Sequence, residues 1–247
     1  MAEGRVPVTV VTITKNEERN IERCLKSVSG WADEIIVVDN HSQDKTITLA
    51  EKYANKVFTR TMTDEDSQRS WAYTQARNEW IVRLDADEVL TEELKNEIAA
   101  CVAAPDARKD AYSVARRNFL GDYWIHYGGF YPDRQIRLFR KQGNNKVVGR
   151  LNGDLTRYAY RDLEHYMVKL NAESMQEAKQ WFQRKQRMSL GRAIWRYKIR
   201  FLRGYIFKRG YKDGFRGFAL ALFAGLYQII AYAHYWEMVR DQKRGSR

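Results

Sequence analysis

Cysteine is nearly missing: Cys24 and Cys101 are the only two in 247 residues, and they stand far apart. They build neither a disulfide framework nor a zinc knuckle, which leaves a reducing cytoplasm as the default compartment. Only three prolines and 15 glycines punctuate the chain, excluding collagen-like repeats, and a hydrophobic content of 44 % excludes a disordered chain. The length suits one domain with an appendage, or two small ones. Met1 to Arg5 lack the cationic and long apolar regions of a secretory leader. Acids are almost absent from one stretch: twelve Lys and Arg lie between Arg184 and Arg216, opposed by Asp213 alone, in a chain whose net charge is +12. A near-neutral body is thus followed by a cationic C-terminal part that calls for a polyanion.

The body alternates two periodicities. Val6 to Ile13 is an apolar, β-branched strand, Asn16 to Ser29 carries Ile21, Leu25 and Val28 at helical spacing, and Glu34 to Asp39 is a second buried strand. Asp44 to Tyr53 predicts a helix, Lys56 to Thr59 a strand, Ser67 to Ala76 a helix, and Trp80 to Leu84 a strand ending in Asp85-Ala86-Asp87. Thr91 to Ala103 reads as a helix with Thr91 as N-cap and Glu92 and Glu93 in its first turn. Ala111 to Asn118 and Gln135 to Arg140 are further strands, joined by the aromatic loop Tyr123 to Pro132. The pattern predicts an α/β fold, a mostly parallel sheet with helices on both faces.

From Leu163 helical signals take over, through Met175 to Met188, Leu190 to Phe207 and Gly214 to Arg240, so residues 1–162 are expected as one domain and 163–247 as a basic helical region. Residues 217–236 carry no formal charge and are long enough to span a bilayer, although Gly217, Gly225, Gln228 and His234 dilute them. A helix lying against a membrane or a neighbouring helix is the favoured reading. Trp195, Tyr197, Phe201, Tyr205 and Phe207, interleaved with cations, fit an anionic membrane surface. Charge alone would also attract nucleic acid, but no nucleic-acid partner is expected. A merely solvated basic face is the plainer alternative.

Asp85 and Asp87 sit where parallel sheets bind ligands, at the C-terminal edge. Two acids so close repel each other unless a cation joins them, and a hard divalent ion with phosphate oxygens resolves the repulsion. An isolated pair of this kind is more often a cap or a surface feature. Here Asp39 closes another strand at the same edge, and Thr14-Lys15-Asn16-Glu17-Glu18 follows the first strand. Each also has a plainer reading as a helix cap or first-turn acid.

The stretches VTITKNEERNIERCLKSV, WADEIIVVDNHSQDKT, Gln68-Arg69 and WIVRLDADEVLTEEL resemble family 2 glycosyltransferases with the GT-A nucleotide-sugar fold. APDARKDAYSVARRNFLG, GGFYPDRQIRLFRK, YRDLEHY and the basic tail extend the resemblance to bacterial lipopolysaccharide core β-1,4-glucosyltransferases. The resemblance implies that Thr14 and Glu17 line the nucleotide pocket, that Asp39 contacts uracil or ribose, and that Arg69 faces the diphosphate. It places Asp85 on ribose or metal and Asp87 on the metal, Mg2+ or Mn2+, that bridges the phosphates of a UDP-sugar.

An inverting transfer needs a base for the acceptor hydroxyl. Relatives carry a Val-His-Glu segment between the RLFR and YRDL motifs, which this chain lacks. Arg157 stands where a histidine usually precedes the tyrosine, Ser70 replaces an Asn, and Asn78-Glu79 replace Gly-Asp. Asp133 is the candidate base, with Asp154 or Glu164 as substitutes, though Arg134 and Arg137 make Asp133 an equally good ion-pair partner. His126 and His165 are either metal helpers or structural histidines. Tyr123, Trp124, Tyr127, Phe130 and Tyr131 suit stacking on a sugar ring or a core beneath a loop.

The expectation is an inverting enzyme on the cytoplasmic face of the bacterial inner membrane, peripheral to it. It would move a hexose, glucose from UDP-glucose, onto a lipid-linked inner-core acceptor, with the oligomeric state left open. The alternatives are another lipid-linked envelope glycan as acceptor, or a catalytically silent nucleotide-sugar or membrane-binding protein.

Overall fold

The computed structural model describes residues 4–61, 64–106, 108–143 and 147–245. The chain forms two compact units, Met1–Arg117 with Pro132–Tyr158, and Asn118–Tyr131 with Ala159–Arg247.

In the first unit, β1 (Val6–Thr14) is parallel to β2 (Ala32–Asp39) and β4 (Trp80–Arg83), and β3 (Lys56–Thr59) is parallel to β2. β8 (Asp133–Arg140) joins β4 antiparallel, and β6 (Ala111–Leu120) joins β8 antiparallel. The order then continues through β9 (Val148–Tyr160) to β5 (Glu88–Leu90). The strands read as unbroken apolar runs because both faces are covered. Val8, Val10, Ile35 and Val37 face one apolar layer with Ile21, Leu25, Leu94 and Ile98, whereas Val11, Ile36, Val38 and Ile81 face the other with Ala72 and Phe139. Each such side chain, fully buried, contributes about 1.5–3 kcal/mol.

Local chemistry sets the helix ends. α3 (Glu65–Thr74) is capped by Asp64, whose carboxylate accepts from the Ser67 N–H at 2.8 Å. Thr91 caps α4 (Glu92–Ala103) as expected, accepting from the Leu94 N–H at 3.3 Å. α1 (Ile21–Lys26) and α2 (Thr46–Ala50) are shorter than the patterns around them. Asn16 and His41 adopt left-handed backbone, at φ 53° and 51°, which bars a helix there and leaves the residues after β1 and β2 as loops.

β9 is the main element that periodicity missed. Its sequence, VGRLNGDLTRYAY, carries two glycines and an asparagine, which read as loop. Both glycines are there for close approach: a Cβ on Gly149 would lie 2.5 Å from the Tyr112 ring and one on Gly153 2.7 Å from the Leu94 Cα.

The second unit combines a hairpin with a helical bundle. β7 (Tyr123–Trp124) pairs with the end of β6 across Gly121, whose φ is 62°. α5 (Leu163–Gln183) starts further upstream than the Met175 pattern, with Asp162 accepting from the His165 N–H at 2.7 Å. α6 (Leu190–Leu202) runs into a π-helical turn at Arg203–Phe207, and a 3-10 turn at Gly210–Asp213 leads to α7 (Gly214–Gly245). α5 and α6 both pack on α7, and Leu120, Ile125, Tyr166, Leu170 and Leu220 form the core. Gly210–Arg244 is long and apolar enough to cross a membrane, and 39 % of its most apolar window is buried within the protein.

Candidate functional site

Parallel pairing of β1, β2 and β4 brings their C-terminal ends to one edge of the sheet, and three of the expected residues meet there. Thr14 and Asp39 are direct neighbours across the β1–β2 ladder. The two following loops are stitched together: the Asn40 N–H donates to the Thr14 carbonyl at 2.9 Å, the Asn16 N–H to Ser42 Oγ at 2.7 Å, and the Glu17 N–H to Thr46 Oγ1 at 2.8 Å. Asp39 is fully buried and shapes this rim, accepting from the Ser42 N–H at 2.7 Å and the Ser42 hydroxyl at 2.5 Å. The Thr14 hydroxyl is buried without a hydrogen-bond partner. The Glu17 carboxylate accepts from Asn20 Nδ2 at 2.8 Å.

After β4 the chain turns through Asp85-Ala86-Asp87 into β5. The Glu88 N–H donates to the Asp85 carbonyl at 2.9 Å, while the Asp85 N–H donates to Glu88 Oε2, also at 2.9 Å. This reciprocal turn gathers three carboxylates, and one oxygen from each of Asp85, Asp87 and Glu88 lies within 4.8 Å of the others. Glu88 was not singled out by sequence. The signal available was a lone acid opening the otherwise apolar Glu88-Val89-Leu90 strand.

Guanidinium groups hold this cluster together. Asp85 accepts from Arg69 Nη1 at 3.1 Å and from Arg137 Nη2 at 2.8 Å. Arg137 Nη2 also donates to Glu88, Arg116 Nη1 reaches Glu88 at 3.4 Å, and Arg157 Nε donates to Asp87 Oδ2 at 3.1 Å. Burial opposes ionisation of Asp85, but Arg137 and Arg69 outweigh it and hold the carboxyl well below the ordinary range. In Glu88 burial wins over Arg137, and neighbouring Asp85 adds to it, so its pKa is pushed up to about 6.

Arg137 is 1 % exposed, and its Nε and Nη1 have no hydrogen-bond partner. Unmade hydrogen bonds of this kind cost about 1–3 kcal/mol each, so two buried cationic donors beside the acids suit an anionic oxygen ligand. The carboxylate cluster is a hard-oxygen donor set and fits a divalent ion such as Mg2+ or Mn2+. Asp85, Asp87 and Glu88 are the residues that would hold it.

Asp133 is drawn to the same cluster through an unforeseen partner. Its Oδ2 accepts from Arg116 Nε at 3.0 Å and from Nη2, and Arg116 in turn reaches Glu88. The two sequence neighbours are engaged elsewhere: Arg134 Nη1 donates to the Ser113 and Leu151 carbonyls, and Arg137 serves Asp85 and Glu88. Asp154 accepts from Arg117 Nε at 2.7 Å.

Glu164, His126 and His165 belong to the helical unit. His126 meets Trp124 with ring centroids 4.0 Å apart and planes tilted by 36°, and His165 Nδ1 accepts from the Arg161 N–H at 3.2 Å. The aromatic loop serves its own unit: Tyr123 and Phe130 pack against the core, and Tyr131 meets Trp124 edge-on at 5.2 Å.

The chain is 28 % identical over 262 residues to an uncharacterized glycosyltransferase of Rickettsia typhi, covering 94 % of this chain and 86 % of that one. It is 25 % identical over 255 residues to the lipopolysaccharide core biosynthesis glycosyltransferase LpsC of Rhizobium meliloti, covering 94 % and 93 %. The fold matches the mannosyltransferase PcManGT of Pyrobaculum calidifontis, solved in complex with GDP-Man and Mn2+, with a TM-score of 0.50 at 13 % identity over 92 % of this chain and 73 % of that one. The expected GT-A architecture is therefore the one adopted. Residues 9–154, which carry both stitched loops and, Arg157 aside, the carboxylate–arginine cluster, match the model for glycosyl transferase family 2, and the chain belongs to that family.

Proposed function

We propose that this glycosyltransferase is inverting and moves a hexose, glucose from UDP-glucose, onto a lipid-linked inner-core saccharide of lipopolysaccharide at the cytoplasmic face of the membrane. The observation that carries the donor site is the Asp85-Asp87-Glu88 cluster with the two idle donors of Arg137 beside it. Similarity to LpsC supports the lipopolysaccharide acceptor.

In this reading the rim of Thr14, Glu17 and Asp39 holds the nucleoside, and Arg69 and Arg137 hold phosphate oxygens. Bound at Asp85 and Asp87, Mg2+ or Mn2+ would supply neutralisation of the charge on the departing nucleoside diphosphate. Asp133, steadied through Oδ2 by Arg116, takes the proton from the acceptor hydroxyl. The cationic helices hold the enzyme against an anionic leaflet. Trp195 at 64 %, Phe207 at 79 % and Phe215 at 76 % exposure are the apolar side chains such a surface would receive.

Calorimetry with the donor and Mn2+ tests the site. Asp87→Ala loses ~100-fold or more in metal-dependent donor affinity, since even outer-shell changes cost 10–100-fold at metal centres. Unchanged affinity overturns the assignment.

One observation favours a second reading, a nucleotide-sugar-binding protein without turnover: Arg157 donates to Asp87, placing a cation on a carboxylate that the metal needs. Release of nucleoside diphosphate from UDP-glucose in the presence of acceptor separates the two.

A further inference from the structure

The helical unit contains a cavity of about 300 Å³ that the donor site does not use. We infer that it binds the phosphodiester head group of a single anionic phospholipid, which deepens the membrane-bound reading above and rests on it. Its lining is apolar at Ile125, Phe130, Leu220 and Ala221 and cationic at Arg200, Arg203 and Lys208. Among the described residues, neither Arg203 nor Lys208 has a side-chain hydrogen bond or an acidic partner. The one acid in the lining, Asp213, is already engaged by the Tyr123 hydroxyl at 3.0 Å and the Tyr127 N–H at 2.9 Å. Three cations against one carboxylate leave the cavity net positive beside an apolar surface.

The backbone is shaped to make this lining. The π-helical turn at Arg203–Phe207 and the 3-10 turn after it fold back tightly. A Cβ on Gly210 would lie 2.8 Å from the Gly204 carbonyl oxygen, and one on Gly217 would lie 1.8 Å from that of Gly210. The Gly128 N–H donates to the Lys208 carbonyl at 2.9 Å, pinning the facing loop. Leu202 at the end of α6, Ile206 and Phe207 on the π-helical turn and Phe215 at the start of α7 are exposed apolar side chains on the elements that flank the cavity residues. A free phosphate would satisfy the cations and leave these side chains in water. A lipid satisfies both, its phosphate on Arg203 and Lys208 and its acyl chains on these exposed apolar side chains.

The test uses the full chain and dihexanoyl phosphatidylglycerol below its micellar concentration, titrated by calorimetry. Wild type binds it saturably and binds dihexanoyl phosphatidylcholine far less. Arg203→Gln with Lys208→Gln weakens binding about tenfold or more, as expected for losing charge-assisted hydrogen bonds. The control pair Arg187→Gln with Lys198→Gln, with the same charge change at exposed sites outside the cavity, binds as wild type does.

Equal affinity of the cavity variant and wild type, or equal loss in both double variants, overturns the cavity. Displacement of the lipid by inorganic phosphate at comparable concentration also overturns it, because the ligand is then phosphate. Co-sedimentation with phosphatidylglycerol vesicles reports separately on the membrane reading. Wild-type pelleting together with no difference between the double variants removes the cavity and leaves the membrane reading standing. Failure of wild type to pellet removes the membrane reading, whatever the monomeric lipid does.

Discussion

Arg137 is the residue on which the carboxylate cluster turns. It is almost fully buried and spans Asp85 and Glu88, which would otherwise face each other across a poorly solvated turn. Removing one member of a buried ion pair leaves the other charged and unpaired, at a cost of about 3–5 kcal/mol. Arg137→Met is therefore expected to lower stability by that amount in denaturant unfolding, with partial recovery when Glu88→Gln is added. A variant as stable as wild type would show that the pairing does not hold the turn.

Glu34 is the acid-sensitive point of the sheet. It is 1 % exposed and accepts from Thr9 Oγ1 at 2.8 Å, the Arg77 N–H at 2.8 Å and Lys56 Nζ at 2.9 Å. Burial raises its pKa, but these three partners outweigh it, and the net shift is below the ordinary glutamate value. A lowered folded-state pKa gives stability that is present above the unfolded-state value and is lost as pH falls through the folded one. Wild type should thus exceed Glu34→Gln in urea midpoint at neutrality, and the gap should narrow as pH falls below the ordinary glutamate range.

At the scale of elements, β9 shows what its glycines do. Gly153→Ala puts a methyl group against the α4 backbone and should cost about 1–3 kcal/mol through forced displacement. Gly191 is the internal control. A Cβ there meets nothing within 4 Å and lies in the first turn of α6, so Gly191→Ala should be neutral or stabilising by up to about 1 kcal/mol. Urea unfolding of the two variants checks both signs.

The same strand marks where sequence reasoning ran out. β1, β2 and β4 were legible because burial on both faces leaves unbroken apolar runs, and the ends of such runs brought Thr14, Asp39 and Asp85 to one edge. β9 was not legible, since its glycines answer to Tyr112 and Leu94, far away in the chain. Asp85 and Asp87 could be read locally, while Glu88, a lone acid opening a strand, was not singled out. Their arginine partners could not, because Arg116, Arg137 and Arg157 arrive on three strands whose pairing no short window encodes. The short α1 is a further case: Asn16 looked like a helix start, yet its left-handed backbone belongs to the loop stitched to Ser42 and Gln43.

For the whole molecule, the division of labour follows charge. The near-neutral first unit pairs Arg69, Arg116, Arg137 and Arg157 with acids of the carboxylate cluster, whereas the helical unit carries an excess of cations over acids between Arg184 and Arg216.

The hairpin at 118–131 has its own consequence for how the molecule can be cut. It precedes the last strands of the first unit along the chain, yet its apolar side, Leu120 and Ile125, is buried with Tyr166, Leu170 and Leu220. An excised fragment ending at Asp162 would keep the hairpin and discard the helices that shelter it. Such a fragment should express poorly or aggregate, and Leu120→Ser with Ile125→Ser should improve its recovery while harming the intact chain. Ribosomal synthesis meets the same problem in time: the hairpin emerges more than thirty residues before α5 begins and must wait uncovered for its shelter.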